Sequence, residues 1–95
     1  MMGFVREFLR DRKVKKAILD VLQKHGELTR RELHNKMFYE NRKRNLGLRF
    51  KRTRNGYLCY DVHDCLVDLL KKGKVEEKIF EENYEVKGVL RLRDN

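Results

Sequence analysis

From Arg42 to Arg54 the chain carries seven cations and no acidic residue. Arg42, Lys43, Arg44, Arg49, Lys51, Arg52 and Arg54 cannot be packed into an apolar interior, because each unpartnered buried ion costs several kcal/mol, about the whole stability of a small domain. The stretch therefore lies at the surface, and the core has to come from the sequence on either side of it. It ends in Arg54-Asn55-Gly56, where Asn-Gly is a turn signal. Two local readings follow. One is a β-hairpin turning at Asn55-Gly56, with Leu48 and Phe50 facing Leu58 and Tyr60. The other, which is preferred, is a loop feeding a helix over 56–72 that Asn55 caps. Leu58, Val62, Cys65, Leu66, Leu69 and Leu70 fall on one face at about 100° per residue. Lys71 and Lys72 suit the negative end of the helix dipole, and Gly73 suits the C′ position.

Upstream, Val14, Ala17, Ile18, Val21 and Leu22 form an apolar helical stripe that closes at Gly26. Phe4, Val5, Phe8 and Leu9 have the same spacing. They predict either one long helix or two with a break near Arg12, with residues 1–12 as an arm for a homodimer or as a helix folded onto its own domain. Thr29 and Glu32 form a capping box, so a helix starts at Thr29, buries Leu33 and Met37 and ends before Asn45. Downstream the period drops to two. Val75, Glu77 and Ile79 alternate, as do Tyr84, Val86, Leu90 and Leu92. With Glu81-Glu82-Asn83 as a polar turn, this predicts a hairpin.

Ninety-five residues without a linker or repeat make one domain, 1–95. Its formal charge of +9 favours polyanions through counterion release. The chain has no serine for a serine nucleophile, no phosphate-cradling glycine loop and no HExxH motif. It is read as a non-enzyme with no cofactor, no metal and no small-molecule substrate. Asp61, Asp64 and Asp68 beside Lys71 and Lys72 are ordinary surface ion pairs rather than a Mg²⁺ site. On one helix Cys59 and His63 share a side while Cys65 faces the core, which opposes both a zinc site and a disulfide; the hairpin reading weakens both arguments. There is no apolar run of about 20 residues to cross a membrane, and the start of the chain is no secretory signal. The expectation is a cytoplasmic protein with reduced thiols, nucleoid-associated if it binds DNA.

The segment Leu66-x-x-Leu69-Leu70-x-x-Gly73-x-Val75, followed by a hairpin, resembles winged helix-turn-helix domains. Ala17 to Leu33 resembles their first two helices. The resemblance covers about residues 14–93. It implies an α+β, mostly helical fold, with three core helices, a C-terminal β-hairpin wing and an N-terminal helical extension. It also implies double-stranded DNA binding through the third helix, and transcriptional regulation. Composition and size are similar to those of regulators from archaea or their viruses. Two departures stand out. The connector from Phe38 to Asn55 is longer than the usual turn, and the wing tip is acidic at Glu81, Glu82 and Glu85, which opposes a wing contact with phosphates.

The third helix would turn Tyr57, Tyr60, Asp64, Val67 and Lys71 outward. The seven connector cations are the candidate phosphate contacts, with Asn55 at the helix start and Tyr57 and Tyr60 against bases or sugars. Two other functions stay open: a basic module for RNA or the ribosome, and a protein-interaction adaptor that uses the acidic wing without nucleic acid.

Overall fold

The computed structural model describes residues 2–93, and side chains from Leu9 onward. Three helices and two small antiparallel sheets follow one another along the chain: α1 (Met2–His25), β1 (Glu27–Leu28), α2 (Arg30–Arg44), β2 (Lys51–Thr53), β3 (Gly56–Leu58), α3 (Tyr60–Lys71), β4 (Val75–Glu82) and β5 (Glu85–Leu92).

α1 is one helix with no break near Arg12. Val14, Ala17, Ile18, Val21 and Leu22 are all buried, so the apolar stripe is the face laid on the rest of the domain. The helix stops at Gly26, whose left-handed backbone (φ +83°) lets its N–H reach the Leu22 carbonyl at 2.8 Å. The side chains of Phe4, Val5 and Phe8, expected in a dimer arm, lie outside the described residues.

α2 begins with the expected capping box. Thr29 Oγ1 accepts from the Glu32 N–H, and Glu32 Oε1 accepts from the Thr29 N–H. Leu33 and Met37 are buried, and Asn45 ends the helix in the left-handed region. α3 buries Val62, Cys65, Leu66 and Leu69. It closes in a Schellman arrangement, with Gly73 N–H bonded to the Leu70 carbonyl and Lys74 N–H to the Leu69 carbonyl.

The β4–β5 hairpin is the one that the period-two alternation predicts. Val75 pairs with Leu92 at its base and Glu82 with Glu85 at its tip. β1 adds to the outer edge of β5, giving the sheet order β1-β5-β4. Leu28, Val75 and Leu90 carry the sheet into the same core as the three helices. None of the described helices is long and apolar enough to cross a membrane.

The connector departs from expectation. Its first part is the end of α2, so Arg42, Lys43 and Arg44 sit in a last helical turn, where the dipole favours cations. Residues 51–58 form a hairpin, not the preferred loop and helix start. The turn falls at Arg54-Asn55, one residue earlier than the hairpin reading placed it, so Lys51 faces Leu58 and Arg52 faces Tyr57. α3 starts at Tyr60, with Cys59 as its N-cap and no side-chain capping bond. Asn55 caps no helix. The cause is tertiary: the amphipathic run from Leu58 to Leu70 is real, but its first turn is pulled out of the helix by contacts with α2.

Candidate nucleic-acid interface

The basic segment is held at four points. Leu46 and Leu48 are buried between its cations and join the main core, which the run of charge conceals. The Asn41 amide grips the Leu48 peptide on both sides, with Nδ2 donating to the carbonyl at 3.1 Å and Oδ1 accepting from the N–H at 2.9 Å. Farther on, Asn35 Oδ1 accepts from the Tyr57 N–H at 3.0 Å. The Tyr57 ring stacks on Phe38, with centroids 3.8 Å apart and planes 2° from parallel, while Phe50 meets the same ring edge-on. An otherwise marginal two-stranded ribbon is thereby anchored to a helix.

Gly56 is required at the hairpin's closest approach to α2. Its φ is +145°, and a Cβ there would lie 2.3 Å from Asn35 Oδ1. His34 is the one polar side chain in the core among the described residues. Its ring nitrogens lie 2.8 Å from the Arg30 carbonyl and 3.3 Å from the Cys59 carbonyl, tying α2 to the start of α3.

With the ribbon so fixed, Arg49, Lys51, Arg52, Arg54 and Asn55 are exposed, as are Arg42 and Lys43 at the end of α2. Among the described residues, Arg42, Lys43, Arg49, Lys51, Arg52 and Arg54 have no carboxylate partner. Arg44 differs from the other six. It bridges Asp20 at 2.9 Å and Glu40 at 2.7 Å, and so locks α2 to α1. Tyr57 is half-buried and occupied by Phe38, so it is a support for the ribbon more than a free contact. Tyr60 is exposed at the first turn of α3.

The acids of α3 are largely consumed within the fold. Asp68 receives Lys15 from α1 and Lys72 from its own helix, at 2.5 and 2.9 Å, and these two hydrogen-bonded ammoniums push its pKa down to about 2. Asp61 faces Arg10 at 3.8 Å. Asp64 is left exposed beside Tyr60 and Lys71, as the helical periodicity indicated. The negative charge of α3 is thus turned toward α1 and screened there, which removes much of the repulsion it would offer a phosphate backbone.

Cys59 and Cys65 are free and buried. Burial pushes the Cys65 thiol up to about 12 and raises Cys59 as well, so neither is a thiolate near neutral pH. No group of three His, Cys, Asp or Glu among the described residues is arranged to hold a metal ion.

Sequence reasoning placed the cations correctly on the surface but missed Asn35, Phe38 and Asn41, which shape the ribbon. Their signal lay in polar and aromatic residues on one flank of α2, with nothing local to say what they would meet. Comparison with protein families, with characterised proteins and with solved structures finds no match to this chain.

Proposed function

We propose that this chain is a double-stranded-DNA-binding module of winged helix-turn-helix type and serves as a transcriptional regulator. The observation that carries the reading is the β2–β3 ribbon: a hairpin held on α2 whose exposed strand and neighbouring turns carry six cations that have no carboxylate partner among the described residues. A two-stranded ribbon is of a size that a B-DNA major groove, about 12 Å wide, admits. Arg42, Lys43, Arg49, Lys51, Arg52 and Arg54 contact phosphates or base edges, and Tyr60 lies beside them at the start of α3. The order helix, short strand, two further helices and hairpin, with β1 on the outer edge of β5, supports the winged-helix reading. A ribbon stands where that architecture has a short turn, and it takes over the role of the wing, whose tip is acidic.

The test is duplex-DNA affinity across a salt series for the wild type and for Arg49→Ala/Lys51→Ala/Arg52→Ala/Arg54→Ala. Affinity falls in the folded variant, and the slope of log K against log salt drops by up to about 0.9 for each phosphate that no longer has a cation against it. An unchanged slope sinks the ribbon's role. Tighter binding to structured RNA than to any duplex replaces DNA as the partner.

A further inference from the structure

The wing tip has features that intramolecular stability does not explain. The β4–β5 turn is Asn83-Tyr84, and both residues have positive φ, +51° and +64°. Such a turn favours glycine at its second position, and a bulky residue there is strained. Yet Tyr84 is 99% exposed and touches nothing that would offset the strain. Val86, next to the turn, and Ile79, two pairs farther down, are 74% and 66% exposed. Their strand partners, Glu81 and Gly88, put them on the sheet face that farther down carries buried Val75 and Leu90. The core-facing side of the wing thus continues past the core as an open apolar surface. Glu81 shares this face, while Glu82 and Glu85 pair with each other at the tip on the opposite face, where Lys87 lies 3.6 Å from Glu82. In a chain of net charge +9 this is an acidic, apolar projection.

A complementary surface exists on the same chain. α1 and α2 enclose an open groove of about 620 Å³ with Val21 and exposed Tyr39 in its wall. Lys24, Lys36 and Lys43 rim it; Lys24 and Lys43 have no carboxylate partner among the described residues, and Lys36 acts on Glu32 one turn away. The groove's acids, Asp20 and Glu40, are already taken by Arg44. Three glutamates at the hairpin end that carries Tyr84 therefore match in charge the three lysines of a groove that exposes Tyr39.

We infer that the wing tip docks into the α1–α2 groove of a second copy of this chain. Tyr84 enters against the exposed Tyr39 ring, and the glutamates meet the lysine rim. The contact is heterologous: it uses two different patches, so it either closes as a ring or two-fold pair with both patches engaged or propagates head to tail. Of the cations assigned to DNA only Lys43 is shared with this contact; Arg42, Arg49, Lys51, Arg52 and Arg54 take no part in it and stay free for another ligand. A nucleic acid or an unrelated basic protein is the competing occupant for each half.

Sedimentation equilibrium of the full chain at low salt, without nucleic acid, tests this. The wild type self-associates with concentration, and the association weakens as salt rises. Glu81→Lys/Glu82→Lys/Glu85→Lys and Lys24→Glu/Lys36→Glu/Lys43→Glu are each monomeric. An equimolar mixture of the two associates again, because each supplies the patch the other needs. Tyr84→Gly, which relieves the turn and so stays folded, associates roughly tenfold more weakly, as an anchoring aromatic at an interface requires. A monomeric wild type overturns the inference. So does association that survives both charge reversals, or that Tyr84→Gly leaves intact.

Discussion

The guanidinium of Arg30 holds the carboxylate of Glu77 in two parallel hydrogen bonds, Nε to Oε2 and Nη2 to Oε1, both 2.8 Å. Arg30 is in the first turn of α2 and Glu77 is the third residue of β4, so the pair sets the angle of the β4–β5 hairpin to the helices. A Cβ on Gly88 would come within 2.8 Å of the same carboxylate, so the absent side chain makes room for the pair. The partnered guanidinium also keeps the Glu77 carboxyl below its ordinary value. Glu77→Gln should cost about 1 kcal/mol, since a charge-assisted pair that is partly exposed contributes no more. Amide hydrogen exchange reads it: protection falls first along β4 and β5, while α1 and α3 keep theirs. A uniform loss over the whole chain shows the pair to be a global clamp and not a hinge for the wing.

Asn41 stands in for a strand. By donating to and accepting from the Leu48 peptide it satisfies a segment that has no ladder of its own, and Leu48 follows it into the core. Asn41→Ala leaves both groups of that peptide without their partner, at about 1–3 kcal/mol for a partly buried site. The expected result is a lower melting temperature and, if the ribbon binds DNA as proposed, a weaker affinity for it with no change of charge. Asn41→Asp keeps the acceptor but loses the donor, and should fall between wild type and Ala.

Gly56→Ala tests whether the shape of the ribbon matters beyond its charge. The added methyl meets Asn35 Oδ1, and the backbone at φ +145° resists any side chain. Relief requires moving Asn35 off the Tyr57 N–H or turning the peptide, at about 1–3 kcal/mol. Every cation remains. If phosphate contact depends on an ordered ribbon, DNA affinity drops and the salt slope shrinks. If a floppy basic loop suffices, affinity is unchanged.

Most of the helical frame was legible because its signals are local. Thr29 and Glu32 announced the start of α2, Gly26 and Gly73 the ends of α1 and α3, and the period-two run from Val75 to Leu92 the β4–β5 hairpin. The ribbon was legible only as a choice between two readings, and helical spacing favours the wrong one. Leu58 fits the α3 stripe by spacing, and nothing in residues 51–58 tells that Asn35 and Phe38 wait on another helix to claim Tyr57. The exposure of Arg49 to Arg54 followed from charge alone and holds in either conformation. The partner of Arg44 did not follow from charge. Of three adjacent basic residues, the helix turns one onto Asp20 and Glu40 and leaves two in solvent.

Asp68 provides a pH signature for the α1–α3 contact. Lys15 reaches it across 53 residues of chain, and Lys72 reaches it from one turn along α3. Together they lower its pKa from the ordinary 3.8 to about 2 in the folded chain. A carboxylate whose folded pKa lies below its unfolded one contributes stability that is complete above the unfolded value and is lost as pH falls through the folded one. The contribution of Asp68 is therefore whole above about pH 4, declines between about 4 and 2, and is gone below that. Asp68→Asn removes the charge at every pH. Urea denaturation of wild type and Asp68→Asn between pH 7 and 2 should give two curves separated by a constant gap down to about pH 4, converging toward pH 2. Lys15→Met should flatten the same acid limb while leaving the i,i+4 partner Lys72 in place, because the bond across the helix interface is the larger cause of the shift. Parallel curves at all pH values would mean that Asp68 is solvated and adds nothing to the hold of α1 on α3.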